Sequence, residues 1–141
     1  MTYLDHVDLP ALPPIMISAG EYDRLADLVN QAPPSLAAYF RRELARASIV
    51  ADANFDSRAA RIGSRVTYRE GRAQNSRTVT LVWPHEVDTQ RGHISVVTSI
   101  GAALLGLRPG NSIDWPSPLG GARRLTVLAV EGGEEPGPVA A

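Results

Sequence analysis

A change of hydrophobic period near Gly63 limits the possible folds of this 141-residue chain more than any other feature. Before Gly63, apolar residues recur at helical spacing in two stretches, and after it they alternate with polar residues, as Val66 and Tyr68 do. Helices that precede a run of strands are typical of an α+β domain. We therefore expect an α+β fold, in which a short antiparallel helical hairpin precedes a mostly antiparallel five-stranded sheet with one short helix on a face.

The predicted hairpin has clear start and stop signals. Ser18-Ala19-Gly20-Glu21 has the form of a capping box, in which the Ser18 hydroxyl accepts a backbone hydrogen bond and Glu21 reaches back to the cap amide. The first helix ends before Pro33-Pro34, and we expect the second helix to begin at Ser35 as its cap. Two amphipathic helices with so short a connection are typical of an antiparallel pair.

The remaining segments follow from the alternating pattern and the turn residues. We expect a third helix, capped by Ser99 and continuing to Leu107. Strands are predicted near residues 65–69, 78–83, 93–98, 112–115 and 124–131. The predicted organisation is an N-terminal extension (1–17), the hairpin (18–52), a linker (53–61), the sheet domain (62–131) and a flexible tail (132–141).

The composition excludes several classes of function. All fourteen basic residues are Arg and there is no Cys, so lysine Schiff-base chemistry and thiolate chemistry are both excluded. A formal net charge of −1 argues against direct binding of nucleic acid through phosphate neutralisation. The apolar stretch Leu9 to Ile17 is broken by three prolines, and no eighteen apolar residues are contiguous. We expect a cytoplasmic protein without a membrane partner.

The densest polar group is His85-Glu86-Val87-Asp88, with His93 beyond it. A metal site or an acid–base pair there is one interpretation, and a solvated connection between two strands is the other. Neighbours on an extended segment point to opposite faces, and the chain lacks a two-histidine helical spacing, so we favour the connection. No serine lies in a nucleophile-elbow sequence. We predict no catalytic residue, no metal ligand and no cofactor.

Arginine is concentrated in one stretch of the chain. Residues 58–77 hold six arginines against the single acid Glu70. Arginine is favoured at interfaces, so this stretch is a candidate docking surface for an acidic partner. The alternative is that Arg65, Arg69 and Arg77 only form the solvent side of two half-buried strands.

One segment resembles a known family. Residues 93–113 contain I-S-x-x-x-x-I-G-x-A-L-L-G and resemble the signature of the Gre-factor C-terminal domain. Residues 62–66 and 83–88 fall where that family has its first strand and its acidic loop. The resemblance covers about residues 62–130, and the short hairpin before it is similar to the Rnk branch of the family, the regulators of nucleoside diphosphate kinase.

The resemblance implies an FKBP-like domain, without prolyl isomerase activity, that docks on the rim of the RNA polymerase secondary channel. The candidate partner-binding residues are Ser95, Thr98, Ser99, Ile100, Gly101, Arg65 and Arg69. Ser99 stands where the family usually has proline.

Gre factors carry acidic residues at the tip of a long coiled coil, where they help hold a catalytic magnesium ion. Helices of about 14 residues extend only about 20 Å, and the tip from Asn30 to Ser35 contains no acid. We therefore expect competition with Gre-like factors without stimulation of transcript cleavage.

Two alternatives remain. The chain is an interaction module that regulates nucleoside diphosphate kinase or another nucleotide-metabolism protein, or it is an FKBP-like prolyl isomerase. The isomerase requires an aromatic-lined pocket, for which two Trp, four Tyr and two Phe offer few candidates.

Overall fold

The computed structural model describes residues 12–71, 75–116 and 122–132. The first eleven residues, the centres of two predicted connections (72–74 and 117–121) and the predicted tail beyond Gly132 lie outside this described part. The helices are α1 (Ala19–Val29), α2 (Pro34–Arg46) and α3 (Ser99–Leu104). The strands are β1 (Met16–Ser18), β2 (Ser48–Val50), β3 (Ser64–Glu70), β4 (Arg77–Val82), β5 (His93–Ser95), β6 (Ser112–Pro116) and β7 (Ala122–Gly132).

Helix α1 begins where the sequence predicts. The Ser18 hydroxyl accepts a hydrogen bond from the backbone N–H of Glu21 at 3.3 Å, which satisfies one of the free amides of the first turn. The Glu21 carboxylate accepts a hydrogen bond from Arg61 Nε at 3.0 Å, a contact between residues forty positions apart that the sequence does not predict.

The other two helix caps differ from the prediction. Helix α2 begins at Pro34 with Pro33 as its cap, so the predicted cap at Ser35 is wrong. Proline suits the first helical position because its φ angle is already helical and it has no N–H to satisfy. Helix α3 is capped by Thr98 and not by Ser99. It ends at Leu104 and not at Leu107.

Five strands form a mixed sheet in the order β5-β4-β3-β7-β6. Three neighbouring pairs are antiparallel, while β4 and β5 are parallel, with Leu81 opposite Ile94. The third predicted strand stops at Ser95, because residues 96–98 turn into the cap of α3. The mostly antiparallel arrangement therefore agrees with the prediction, whereas the parallel pairing of β5 at the edge of the sheet was not predicted.

A second, two-stranded sheet lies beside the first two helices. Strands β1 and β2 pair in parallel, with Ile17 opposite Ile49, and neither strand is predicted from the sequence. The predicted linker (53–61) is part of the folded domain and not an exposed connection, because Ala59 and Ala60 are fully buried. Ala60 donates a backbone hydrogen bond to Leu107 and accepts one from Gly106, both at 2.8 Å.

The first two helices and the five-stranded sheet share one hydrophobic core. Leu25 and Phe40 from the helices belong to the same cluster as Tyr68 and Leu104, and each is at most 1% exposed. Within the described residues, no helix is long and apolar enough to cross a membrane.

Candidate functional site

The loop from Ser95 to Gly101, called the docking loop below, is shaped by its own side chains. The Thr98 hydroxyl donates to the carbonyl oxygen of Ser95 at 2.8 Å and accepts from the backbone N–H of Gly101 at 3.0 Å. The Ser95 hydroxyl accepts from the backbone N–H of Val97 at 2.9 Å. These three bonds hold the loop in one conformation between β5 and α3.

Close packing explains the glycine of this loop. A Cβ atom at Gly101 would lie 2.3 Å from the carbonyl oxygen of Ser95 and 2.9 Å from the Thr98 hydroxyl. Both neighbours are held by hydrogen bonds, so neither has room to move away. Gly101 therefore has a structural reason to be present, independent of any partner.

The docking loop presents only some of its predicted binding residues. Ser95 and Gly101 are buried, and the Thr98 hydroxyl already has its two partners within the loop. Ser99 and Ile100 are partly exposed, as is Val97, which the sequence prediction did not include. The surface of the loop is therefore formed by these three side chains, and the hydrogen bonds of Ser95 and Thr98 position them.

The two predicted arginines lie at different ends of strand β3. Arg65 is opposite Thr80, and Thr80 is opposite His93 of β5, the strand that leads into the docking loop. Arg69 lies four residues further along, about 13 Å away, opposite Thr126 of β7. The structure therefore brings Arg65 to the same end of the sheet as the docking loop and leaves Arg69 at the other end.

The charge excess of residues 58–77 is partly neutralised in the fold. Arg58, Arg61 and Arg65 have carboxylate partners in Asp56, Glu21 and Glu131, at distances of 3.5, 2.9 and 3.8 Å. Within the described residues, Arg69 and Arg77 form no ion pair, and one further arginine of the stretch, Arg72, lies outside them. The positive charge of Arg65 is thus partly offset by Glu131.

The polar segment 85–88 forms turns between β4 and β5. Glu86 Oε1 accepts from the backbone N–H of Trp83 at 3.2 Å, and Asp88 Oδ1 accepts from that of Arg91 at 3.4 Å. Asp88 also pairs with His93 through the backbone. Both carboxylates therefore cap short turns. Among the residues that the structure describes, no group of three or more His, Cys, Asp or Glu side chains could hold a metal ion.

The contacts between α1 and the sheet domain are not predicted from the sequence. The guanidinium of Arg24 lies 3.8 Å from the ring centre of Trp83, beside a shallow cleft that Asp27 and His85 also line. The spacing of Glu21 and Arg24 on one helix face is visible in the sequence, but their partners are far away along the chain.

Comparison with known proteins identifies relatives over most of the chain. Residues 56–132 match the family described as transcription elongation factor GreA/GreB, C-terminal. The regulator of nucleoside diphosphate kinase from Escherichia coli K12 is 34% identical over 122 residues, which are 84% of this chain and 90% of that protein. The transcription elongation factor GreA of Roseiflexus castenholzii is 40% identical over 88 residues, so this chain spans about half of the GreA length, 55%.

A solved structure has the same mixed α+β architecture. The prokaryotic transcription elongation factor GreA/GreB from Nitrosomonas europaea is 35% identical and superimposes with a TM-score of 0.65. The superposition covers 84% of this chain and 98% of that one.

Proposed function

This chain belongs to the GreA/GreB family of transcription elongation factors, and we propose on that premise that it is a regulator of the Rnk type that binds RNA polymerase. The binding site on the polymerase is the rim of the secondary channel. The observation that carries the proposal is the docking loop, whose signature residues hold a fixed conformation and present Val97, Ser99 and Ile100 outward.

The docking surface combines an apolar tip with a positive neighbour. Ile100 and Val97 supply the apolar contact, and Arg65 stands at the same end of the sheet with 65% of its side chain exposed. Partly exposed apolar side chains on a rigid loop bind a partner with little loss of conformational entropy. Arg69 belongs to the surface only if the partner extends along β3.

The first two helices are too short and carry the wrong chemistry for transcript cleavage. Their eleven and thirteen residues correspond to lengths of about 16 and 20 Å. The connection between them, from Asn30 to Pro33, contains no carboxylate, and the last acid before it is Asp27. Magnesium requires oxygen ligands, of which carboxylates are the usual protein donors. The regulator therefore occupies the channel entrance and competes with longer factors without delivering metal ligands.

The relatives named above are regulatory factors, and the proposal assigns no enzymatic activity to this chain. We also propose that the sheet domain has an FKBP-like architecture, that α1 and α2 are antiparallel, and that the protein is cytoplasmic, as the polymerase is. A prolyl-isomerisation assay with the purified chain is expected to show no turnover, and robust turnover would contradict this part.

A pull-down with core RNA polymerase tests the binding. The parent chain is expected to retain polymerase, and Ile100→Asp is expected to lose it. Ile100 packs partly on the core, so an acid at this position also affects stability. Ser99→Glu serves as a second variant, because an acid in the first turn of a helix is favourable. Ile49→Asp is the matched control, since Ile49 is 49% exposed on strand β2, outside the docking loop. Failure of the parent chain to bind polymerase would refute the proposal.

A cleavage assay on backtracked transcription complexes tests the mechanism. The chain is expected to leave the rate of RNA cleavage unchanged when added alone, and to reduce the cleavage that a Gre factor stimulates. The Ile100→Asp variant is expected not to compete. Faster cleavage with this chain alone would contradict the argument from the acid-free tip.

A second candidate function rests on the name of one relative. The Escherichia coli protein of 34% identity is called a regulator of nucleoside diphosphate kinase. A binding assay with purified nucleoside diphosphate kinase, run beside the polymerase pull-down, separates the two. Binding of the kinase that is lost in Ile100→Asp would assign the docking loop to that enzyme.

A further inference from the structure

Besides the shared hydrophobic core, three residues of the first two turns of helix α1 contact the sheet domain or the segment that leads into it. Glu21 is the most buried of these contacts: its Oε2 atom lies 2.9 Å from a guanidinium nitrogen of Arg61, and both side chains are 11% exposed. The Arg61 guanidinium is itself held 4.5 Å from the ring centre of Phe55. The ion pair is therefore largely shielded from water, and the attraction between its two charges is stronger there than it would be in water.

Arg24 makes the second contact, one turn further along the same face. Its guanidinium stacks 3.8 Å from the ring centre of Trp83, and Trp83 is only 4% exposed. The backbone of Trp83 is fixed by Glu86, which accepts its N–H. Arg24 forms no ion pair within the described residues, so the stacking is the contact that holds this exposed side chain.

Gly20 makes the third contact. Its backbone N–H donates to Asp52 Oδ1 at 3.1 Å, and a Cβ atom at this position would lie 2.8 Å from Asp52 Oδ2. Asp52 belongs to the segment that links β2 to the sheet domain. Gly20, Glu21 and Arg24 lie within the first two turns of α1 and contact three separate segments, so these contacts add to the core in restraining the tilt and the rotation of the helix.

We propose that Glu21 and Arg24 are positioning residues that set the direction in which the pair of helices α1 and α2 projects from the sheet domain. This inference rests on the proposed function, because the direction of the helix pair matters when the docking loop holds the protein on polymerase. Helix α1 continues about 9 Å beyond Arg24 to its end near Asn30, so a change of angle at these contacts moves the tip. In this proposal the contacts of Glu21 and Arg24 direct the tip of the helix pair toward the channel, and the docking loop binds the polymerase.

A distance measurement tests the positioning without polymerase. The chain has no Cys, so spin labels on Ala38→Cys and Gln90→Cys report one distance between helix α2 and the sheet domain. Ala38 and Gln90 are both exposed. Double electron–electron resonance between the two spin labels is expected to give a single narrow distance distribution for the parent. The distribution is expected to broaden or shift in Arg24→Ala, and in the double variant Glu21→Gln with Arg61→Met.

Arg24→Ala is expected to fold, because Arg24 is exposed and Ala is the most favourable residue in a helix. Arg41→Ala is the matched control: Arg41 is an exposed arginine of the same helix pair, but it bonds Asn30 within that pair. An unchanged distance distribution in both Arg24→Ala and the double variant would overturn the proposal.

The polymerase assays separate positioning from stability and from binding. Arg24→Ala is expected to bind polymerase as the parent does, yet to require about threefold more protein to suppress Gre-stimulated cleavage. Equal loss of binding and competition would show a merely structural role. If the parent does not bind polymerase, the proposed function fails, while the distance measurement still decides whether Glu21 and Arg24 set the direction of the helices.

Discussion

Gly101 lies so close to Ser95 that a side chain at position 101 has no space: a Cβ atom would be 2.3 Å from the Ser95 carbonyl oxygen. That oxygen also accepts a hydrogen bond from the Thr98 hydroxyl at 2.8 Å, and the same hydroxyl caps α3, so a shift of Ser95 disturbs the residue that forms the cap. The same close contact therefore joins strand β5, the docking loop and helix α3.

Gly101→Ala is expected to lower the free energy of unfolding by about 1–3 kcal/mol, the usual cost of overpacking a core. Urea denaturation of parent and variant measures the change. Ser99→Ala is the control in the same loop, because Ser99 is only partly buried and its side chain is not the cap. A Gly101→Ala protein as stable as the parent would show that the loop has room to relax.

Ser99→Pro is expected to stabilise the protein by about 0.5 kcal/mol, because proline restricts the unfolded chain. Ser99 is the first residue of α3, a position that favours proline. Thr98 has φ −136° and ψ 166°, the extended conformation that a residue before proline adopts. Thermal unfolding measures the stability, and the polymerase pull-down is expected to improve with the stiffer loop. A lower melting temperature would contradict the prediction.

Asp56 is expected to stabilise the fold in a pH-dependent way. The backbone N–H of Arg58, which donates to Asp56 Oδ1 at 2.9 Å, is the main cause that holds the pKa of Asp56 below its ordinary value. The guanidinium groups of Arg58 and Arg108 also lower it. Because the folded-state pKa is lowered, the stabilisation is complete above the ordinary pKa and is lost as the pH falls through the folded-state pKa.

The variant Asp56→Asn is therefore expected to melt at a lower temperature than the parent near pH 7, and the difference is expected to shrink below about pH 4. Melting curves across this pH range measure it. Asp23→Asn is the control, since Asp23 is exposed and forms no ion pair within the described residues. A difference that stays constant down to pH 2 would contradict the assignment.

The elements with strong local signals could be predicted from the sequence. Ser18 caps α1 as expected, and the alternation around Val66 and Tyr68 marks β3, because capping and strand burial depend on neighbouring residues. The predicted cap of α3, Ser99, lies one residue after the observed cap, Thr98. Both residues carry a hydroxyl, and only the extended backbone of Thr98 decides between them.

The remaining features depend on contacts between distant residues. Strands β1 and β2 have three residues each, and their pairing of Ile17 with Ile49 leaves no periodic pattern in either segment. The parallel pairing of β5 and the separation of Arg65 from Arg69 follow from sheet order, which a single sequence does not encode locally. The positions of Ser99 and Ile100 on the surface were predictable only through the family signature, and their role in binding stays a prediction.

The buried pair of Glu21 and Arg61 gives a final prediction. Glu21→Gln leaves the guanidinium of Arg61 largely buried without this carboxylate, and the expected loss of unfolding free energy is about 3 kcal/mol. Replacing both partners, as Glu21→Gln with Arg61→Met, removes the buried charge as well and is expected to recover most of that loss. Urea denaturation of the parent, the two single variants and the double variant completes the cycle. A double variant no more stable than Glu21→Gln alone would show that Arg61 stabilises the fold through Phe55 and Ser18, and not through Glu21.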